Sequence, residues 1–422
     1  MENTPTPTVG VLVGGGPAPG INGVIAAITI EARNNGWRVL GLMDGLKWLS
    51  RGLSQVRELD IADVSRIHNQ GGSILRTSRE GAVDNPEIRD CVHEEMRKLG
   101  IHALITIGGD GTAAACSILH DSDRYGLSYL HVPKTIDNDI DLPGGFSTFG
   151  FQTARHVGVK LIESLAEDAR TTQRWYLAVT MGRHSGHLAQ AIGMASGATL
   201  TLIPEQFSED RIDLDDLVKP IEGSMIRRRC YGRQDGVVVL AEGLGERVSS
   251  DEYLMTKETE LDPKGKIRLT DLPLGYSLRK RLTDSFASRG IEVKIMEKLI
   301  GYELRCVDPI PFDAEYTREL GFGAMRAILR GGIQGVITRV GSDLEVYPFS
   351  YFRDEDTGRT RIRYVNTETE IYKASLRYQI RLRQKDLDDP ERRAQMVEAS
   401  GYTEAELISR FSNPPANRVP GV

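Results

Sequence analysis

The chain has 422 residues, of which 53 are basic and 59 acidic, giving a formal net charge of -6. This length allows two or three domains with their own cores, and the balanced charge excludes the basic field that attracts nucleic acid or an anionic membrane. The four cysteines lack CxxC spacing and no window approaches 18 uninterrupted apolar residues. We therefore expect a cytoplasmic protein with free thiols and without nucleic-acid or membrane partners.

Short β-branched runs alternate with longer amphipathic stretches along the chain. The predicted strands are VGVLV, ALITI, YLAVTMG, TLTLIP and GVVVL, and the predicted helices span residues 22–35, 112–120 and 185–196. Gly36 is placed to end the first of these helices. This rhythm is typical of parallel α/β sheets covered by helices.

The alternation resumes after residue 145 with a new set of strands, which predicts a second α/β domain. Residues 245–285 are polar and are predicted to form a crossover with one or two helices. From about residue 366 the pattern becomes helical and charged, which indicates surface helices or an oligomer contact.

The first glycine loop, GGGPAPG, follows the first predicted strand and precedes a helix. Ile21 and Asn22 stand where a Walker loop needs lysine and a hydroxyl, and Pro19 takes the third glycine position of a dinucleotide fingerprint. Three residues without side chains before a helix N-terminus still favour an anion. A tight strand-to-helix turn is an equally good interpretation of this loop alone.

A second strand, loop and helix occur in ALITIGGDGTAAAC. Gly109 and Gly111 allow the backbone to approach a ligand, and Asp110 lies at the carboxyl end of the predicted strand. A carboxylate beside phosphates is most simply a Mg²⁺ anchor, with a purely structural turn as the alternative.

The segment PKTIDNDI carries two carboxylates, Asp137 and Asp139, separated by one residue. In an extended segment both would face the same way, with Lys134 and Thr135 just upstream. Crowding raises the pKa of one carboxylate and a nearby Mg²⁺ can hold the other ionised, which suits one general base and one metal-side residue, while a surface Asx turn is the alternative.

Arginines next to predicted strands suit bidentate recognition of phosphate. Arg183 ends the YLAVTMG strand, Arg174 precedes that strand, and Arg305 lies farther along the chain. Together with the glycine loops and carboxylates, these arginines indicate phosphoryl transfer to a phosphorylated hydroxyl substrate.

Eight motifs, in the order in which the family has them, resemble those of the 6-phosphofructokinases. They are GGGPAPGIN, GGSILRTSR, GGDGT, PKTIDND, QRWYLAVTMGRHSGHLA, LIPE, LAEG and GYELR. The resemblance covers residues 9 to about 335.

The resemblance implies an α/β fold of two Rossmann-like domains with mostly parallel sheets, between which the chain crosses more than once, and a helical C-terminal extension. A phosphoryl-donor domain would comprise residues 1–149 with about 305–360, a sugar-phosphate domain residues 150–304, and the extension about 361–422. The resemblance also implies a homotetramer or homodimer.

Roles follow by resemblance for the residues that match the family's motifs. Asp137 would be the general base, supported by Asp139, while Arg183 would steady the transferring phosphoryl group and Lys134 would assist catalysis. The implied donor-binding residues are Gly15, Arg79, Gly109, Asp110, Gly111 and Thr112, with Asp110 holding Mg²⁺. The implied fructose 6-phosphate ligands are Thr135, Arg174 (from a neighbouring subunit), Met181, Gly182, Arg183, Glu242, Tyr302 and Arg305.

The chain departs from the short bacterial members of the family at several positions. Pro17 replaces an aspartate, Arg76 replaces a glycine, and RCV stands where those enzymes have RGG. A further phosphate-binding arginine of the family would fall on Met296. Lys294 or Lys298, which share a strand face by parity, are the expected substitutes.

The phosphoryl donor is the least determined feature. Gly111 leaves space and no added charge where a carboxylate would repel the α-phosphate of a nucleotide, which favours ATP. Lys134 would add a cation near the donor, which favours pyrophosphate. The sequence thus favours ATP over pyrophosphate as donor for making fructose 1,6-bisphosphate.

Two other functions are compatible with parts of the sequence. NAD kinases and diacylglycerol kinases share only GGDGT and lack the later motifs. A non-catalytic sugar-phosphate sensor on the same fold would be expected to lose a catalytic carboxylate, yet Asp110, Asp137 and Asp139 are all present.

Overall fold

The computed structural model describes residues 6–249, 252–253, 273–354 and 360–412. The chain divides into two compact units, each assembled from two separate segments. Unit 1 is Met1–Ala154 with Tyr302–Arg363, and unit 2 is Arg155–Gly301 with Tyr364–Val422. The ligands assigned above to each predicted domain remain predictions.

The described residues contain twelve strands. They are β1 (Thr8–Val13), β2 (Arg38–Leu42), β3 (Val56–Leu59), β4 (Ala103–Gly108), β5 (Ser128–Thr135), β6 (Phe149–Gly150), β7 (Trp175–Thr180), β8 (Leu200–Leu202), β9 (Gly236–Ala241), β10 (Ile295–Ile300), β11 (Gly335–Val340) and β12 (Asp343–Tyr347).

Fourteen α-helices occur in the same described ranges. They are α1 (Ile21–Asn34), α2 (Ile61–Val64), α3 (Pro86–Lys98), α4 (Asp110–Asp121), α5 (Phe151–Thr172), α6 (His187–Ser196), α7 (Leu214–Cys230), α8 (Leu244–Arg247), α9 (Leu274–Ala287), α10 (Pro311–Leu329), α11 (Glu370–Arg377), α12 (Gln384–Asp388), α13 (Pro390–Ser400) and α14 (Glu404–Phe411).

The sheet of unit 1 has the strand order β12-β11-β5-β4-β1-β2-β3, with β6 paired to β5. Its central pairs are parallel, and only β3 and β12 run antiparallel to their neighbours. Successive β1 residues face opposite cores, because Val11 packs in the cluster of α1 and α10 while Leu12 packs in that of α3 and α4. Both faces of this sheet are therefore covered by helices.

Helices α1 and α10 pack closely on one face of that sheet. A Cβ atom at Gly321 would lie 2.6 Å from the carbonyl oxygen of Val24, so the close approach requires glycine there. This contact fixes α1, whose N-terminus follows the first glycine loop.

Unit 2 contains a fully parallel sheet with the order β10-β7-β9-β8. Its core combines α7 and α9 with apolar side chains of the C-terminal helices, including Met396, Leu407 and Phe411. The charged residues of this segment predicted surface helices, but one side of these helices completes the core of unit 2.

The predicted fold class, α/β with mostly parallel sheets and C-terminal helices, is confirmed by the strand pairing and helices. Helix α1 ends at Asn34, and Gly36 follows with a left-handed φ of 77°. Much of the predicted crossover at 245–285 lies outside the described residues, although α9 begins within it. All four cysteines are free, and the described helices include none that is long and apolar enough to span a membrane.

Candidate active site

The first glycine loop continues β1 at the carboxyl end of this strand in the unit 1 sheet. The Gly14 N–H donates to Ile107 O at 2.9 Å, and the Gly15 N–H donates to Ser78 O at 2.9 Å. Gly15 adopts a φ of 78°, a conformation that side chains disfavour. Because Ser78 pairs with the loop, the next residue, Arg79, is held beside it.

The two glycine loops meet around the side chain of Thr112. A Cβ atom would lie 2.4 Å from Thr112 Oγ1 at Gly14 and 2.3 Å from it at Gly108. Gly14 and Gly108 are thus required by packing, independently of any ligand. Gly111 differs, because a Cβ atom there would have no atom within 4 Å.

Lys134 connects the end of β5 to the first glycine loop. Its side chain is 4% exposed, and its ammonium donates a hydrogen bond to Gly16 O. Burial lowers the pKa of Lys134 to about 8, and the neighbouring Arg305 and Arg79 cations lower it further. The Asp137 and Asp110 carboxylates have the opposite effect and raise the pKa. A buried cation of this kind favours a polyanionic ligand.

Arg305 approaches the same loop at Gly16. A Cβ atom at Gly16 would be 2.9 Å from Arg305 Nη2, and the Arg305 guanidinium stands 5.1 Å from the ring centre of Tyr302. Lys134 and Arg305 therefore both bring positive charge to Gly16 of the loop, which favours a phosphate there.

Asp110 opens helix α4, whose N-cap is Gly109. It is exposed, and it lies close enough to Lys134 to raise that lysine's pKa. Among the described residues no group of three or more His, Cys, Asp or Glu side chains could hold a metal ion. Asp110 is an exposed carboxylate beside a cationic loop, and a Mg²⁺ ion shared with phosphates needs only one or two such ligands from the protein.

The carboxylate pair lies on a turn rather than on the extended segment that we expected. Strand β5 ends at Thr135, the Asp137 N–H donates to Thr135 Oγ1 at 3.0 Å, and Asn138 has a left-handed φ of 58°. The expectation of an extended segment was wrong because the left-handed residue breaks the two-residue alternation. The turn is not a surface turn either, since Asn138 and Asp139 are buried.

Unit 2 brings four of the predicted sugar-phosphate residues together at the carboxyl ends of β7 and β9. The Met181 N–H donates to Ile300 O, and the Gly182 N–H donates to Glu242 Oε1 at 3.2 Å. Arg183 is largely exposed and pairs with Glu246 at 3.5 Å. This edge of a parallel sheet is where α/β proteins bind ligands.

Arg174 does not join this group within its own chain. It immediately precedes β7, whereas Met181 follows it, and six residues at about 3.3 Å each separate the strand ends by roughly 20 Å. Lys294 lies just before β10 and Lys298 within it, and both are exposed, as is Met296.

The twelve remaining predicted residues all belong to unit 1. They are Gly15, Arg79, Gly109, Asp110, Gly111, Thr112, Lys134, Thr135, Asp137, Asp139, Tyr302 and Arg305.

Three supporting residues escaped the sequence reasoning. Thr77 donates to Gly15 O at 2.7 Å, His131 contacts Gly108 O at 3.1 Å through Nε2, and Arg363 binds the carboxylate turn. A histidine inside the apolar strand YLHVPKT was a usable signal. Arg363 offered none, because it contacts Asn138 across 225 positions of sequence.

Comparison with known proteins decides the family of this site. A family model described as phosphofructokinase matches residues 8–328, which is most of the chain. The chain belongs to the phosphofructokinase family. The family resemblance predicted from the eight motifs is thereby confirmed.

Relatives within the family differ in the donor that their names specify. Pyrophosphate–fructose 6-phosphate 1-phosphotransferase of Thermotoga maritima is 46% identical, covering 91% of this chain and 93% of that protein. The protein of the same name from Naegleria fowleri is 42% identical, covering 96% and 95%. ATP-dependent 6-phosphofructokinase of Chloroflexus aurantiacus is 33% identical, covering 81% and 90%.

A solved structure agrees with the fold. The crystal structure of the pyrophosphate-dependent phosphofructokinase from Nitrosospira multiformis matches with a TM-score of 0.63 at 17% identity, covering 90% of this chain and 93% of that one. At this identity the match supports the shared phosphofructokinase architecture alone.

Proposed function

We propose that this phosphofructokinase transfers a phosphoryl group from pyrophosphate to the 1-hydroxyl of fructose 6-phosphate, giving fructose 1,6-bisphosphate and orthophosphate. The observation that carries the proposal is the similarity, at 46% and 42% identity over at least nine tenths of the chain, to two relatives named for pyrophosphate. The comparisons thus favour the donor that the sequence placed second.

The environment of Lys134 supports pyrophosphate as the donor. This buried ammonium sits against the first glycine loop, where Arg305 and Arg79 add positive charge. Pyrophosphate concentrates its charge on two phosphoryl groups and has no nucleoside to bind, so recognition depends on such local cations. Gly15, Gly109, Gly111 and Thr112 complete the proposed donor site.

In the proposed reaction Asp137 accepts the proton of the sugar's 1-hydroxyl. The oxygen attacks the nearer phosphorus, the bond from that phosphorus to the bridging oxygen breaks, and orthophosphate leaves with the electron pair. Asp139 supports the charge of the base, and Arg183 with Lys134 stabilises the transferring phosphoryl group.

Asp110 is the proposed anchor for Mg²⁺. An exposed carboxylate at the start of α4, close to a cationic phosphate loop, fits a magnesium ion held by one carboxylate and donor phosphates. When bound, the ion neutralises phosphate charge.

The proposed fructose 6-phosphate ligands within the chain are the seven that the family resemblance implies. They are Thr135, Met181, Gly182, Arg183, Glu242, Tyr302 and Arg305. Arg174 is proposed to reach the site of a neighbouring subunit, which requires a homodimer or homotetramer. We further propose that the enzyme works in the cytoplasm.

ATP is the second candidate donor, favoured by two observations in unit 1. Gly111 has open space around it, and a cavity of about 500 Å³ runs along α4 from Ala113 and Ala114, one turn from Asp110. Val336, Phe349 and Phe352 contribute apolar surface to this cavity. Such a volume is sufficient for an adenosine group.

The donor is tested by steady-state kinetics with an aldolase-coupled assay, with either pyrophosphate or ATP as the phosphoryl source. We expect kcat/KM to be at least tenfold higher with pyrophosphate. A preference for ATP would overturn the donor assignment, whereas no turnover with either donor would favour the non-catalytic sensor.

The matched variants Gly111→Asp and Gly111→Asn separate charge from size at the donor site. Because a Cβ atom at this position meets nothing, both variants should fold and retain pyrophosphate-dependent activity. Any residual turnover with ATP should fall further in Gly111→Asp than in Gly111→Asn, because only the carboxylate repels an α-phosphate.

A further inference from the structure

Arg363 surrounds the carboxylate turn with hydrogen bonds. Its Nε and Nη2 donate to Asn138 O at 3.1 and 3.0 Å, and Nη2 also donates to Asn138 Oδ1. Its Nη1 donates to Phe146 O at 3.0 Å, and its own backbone N–H donates to Asp139 O at 2.8 Å. Arg363 thus contacts both the side chain and the backbone carbonyl of Asn138, the residue between the two carboxylates. It also contacts the backbone carbonyl of Asp139.

The conformation that Arg363 contacts is a special one. Asn138 has a left-handed φ of 58°, which is uncommon outside glycine although asparagine adopts it more readily than most residues, so contacts that select it help to define the turn. Further contacts of the turn come from Thr148, whose N–H donates to Asn138 Oδ1 and whose hydroxyl donates to Thr135 O, and from the Asp137 N–H, which donates to Thr135 Oγ1. Arg363 alone donates four hydrogen bonds to Asn138 and Asp139.

The chemistry of the contact requires arginine rather than any cation. The planar guanidinium directs several N–H groups at fixed angles, whereas an ammonium is a compact point charge. Burial lowers the pKa of the Arg363 guanidinium, and the Asp141 and Asp139 carboxylates partly offset this effect. The same cation therefore also balances negative charge around the turn.

We propose that Arg363 is a positioning residue for catalysis, which holds Asn138 in its left-handed conformation so that Asp137 and Asp139 are presented in the reactive arrangement. This inference rests on the proposed function of those carboxylates. Arg363 lies beyond residues 8–328, the span that matches the phosphofructokinase family model. The segment after the family core thus contributes to the geometry of the reaction.

The test is Arg363→Lys, with Arg361→Lys as the matched control. Arg361 lies two residues before Arg363, and its guanidinium pairs with the Asp141 carboxylate at 3.2 Å, outside the set of hydrogen bonds to Asn138. We expect kcat of Arg363→Lys to fall by about 10- to 100-fold, because small misplacements of reacting groups have effects of that size. KM for fructose 6-phosphate should change less than about threefold, since the sugar contacts are intact. Arg361→Lys should retain its kcat.

Amide hydrogen exchange provides a readout that needs no turnover. Residues 136–141 should exchange faster in Arg363→Lys than in the wild type, while Arg361→Lys should match the wild type over this segment. Unchanged exchange together with unchanged kcat in Arg363→Lys would overturn the proposal. If the wild type itself converted no fructose 6-phosphate, the proposed function would fail, and exchange would still decide whether Arg363 holds the turn.

Asn138→Gly tests the same contact from its other side if Arg363→Lys does not fold. Glycine keeps the left-handed backbone but removes Oδ1, which accepts from both the Arg363 guanidinium and the Thr148 N–H. We expect kcat to fall by about tenfold or more, because two hydrogen bonds of the turn are lost, one of them to a charged group. Wild-type kcat and exchange in this variant would contradict the role of the contact.

Discussion

Asp137 is the residue on which the proposed proton transfer depends most directly. Asp137→Ser should lower kcat by about 10²- to 10⁴-fold, the range typical of removing a general base. KM for fructose 6-phosphate should remain close to that of the wild type, because the loss concerns the transition state. Steady-state kinetics of the purified variant provide the measurement, and full activity would remove Asp137 from this role.

Lys134 makes donor binding sensitive to alkaline pH. Burial holds the pKa of Lys134 at about 8, so above pH 8 its amine is mostly neutral in the free enzyme. The amine must then take up a proton to pair with a phosphate, which weakens binding. The dissociation constant of pyrophosphate should therefore rise above pH 8, by up to about tenfold per pH unit.

Isothermal titration of pyrophosphate between pH 7 and pH 9.5 measures this dependence. Because pyrophosphate also titrates, Lys134→Met serves as the control for the ligand's own contribution. Parallel pH curves for the wild type and Lys134→Met would show that the ammonium has no part in binding.

Single residues also mark the limit of prediction from sequence. The candidate carboxylates Asp137 and Asp139 could be chosen from their spacing, but their turn could not, because the left-handed φ of Asn138 is maintained by Arg363, 225 positions away. Local sequence predicts local conformation only where distant contacts do not override it.

At the scale of elements, β4 and β5 support the second glycine loop through a buried histidine. His131 on β5 contacts Thr106 Oγ1 at 2.7 Å and Gly108 O at 3.1 Å. Burial lowers the pKa of His131 to about 3, although the hydrogen bond to Gly108 O acts to raise it. The ring is therefore neutral in the folded protein at neutral pH. The neutral ring links the two strands beneath the loop.

This arrangement predicts that stability falls as the pH is lowered. The folded pKa of His131 is below its ordinary value of about 6.5, so the unfolded chain binds the proton more readily. The contribution of the neutral His131 ring to the free energy of unfolding is fully present above about pH 6.5. As the pH falls from about 6.5 to about 3, this contribution decreases by up to about 1.4 kcal/mol per pH unit.

Denaturant unfolding from pH 7 to pH 4.5 would measure this loss in the wild type, in His131→Gln and in His156→Gln, whose histidine is exposed on α5. Only His131→Gln should show a weaker pH dependence. Superimposable slopes for all three proteins would contradict the assignment.

The elements themselves were largely predictable from periodicity. The first predicted helix, 22–35, matches α1 to within one residue at each end, because its apolar spacing and Gly36 are local signals. The role of the C-terminal helices was not predictable, since Leu407 and Phe411 complete a core whose other members lie far away in sequence.

At the scale of the whole molecule, the position of Arg174 bears on assembly. It lies at the opposite end of β7 from Met181 to Arg183, which supports the proposal that it serves a neighbouring subunit. Mixing inactive Asp137→Ser with inactive Arg174→Ala and allowing subunits to exchange should then restore activity. In a dimer with two shared sites, random mixing should give about a quarter of wild-type activity.

The coupled assay measures the recovery, with each variant exchanged against itself as the control. No recovery despite confirmed subunit exchange would place Arg174 outside the site.

The central claim is that the protein transfers a phosphoryl group from pyrophosphate to fructose 6-phosphate. The reverse reaction tests this claim most directly. Purified protein is incubated with fructose 1,6-bisphosphate, Mg²⁺ and either orthophosphate or ADP, and the products are followed by ³¹P NMR. We predict that pyrophosphate and fructose 6-phosphate form with orthophosphate. Formation of ATP with ADP, and no reaction with orthophosphate, would contradict the account.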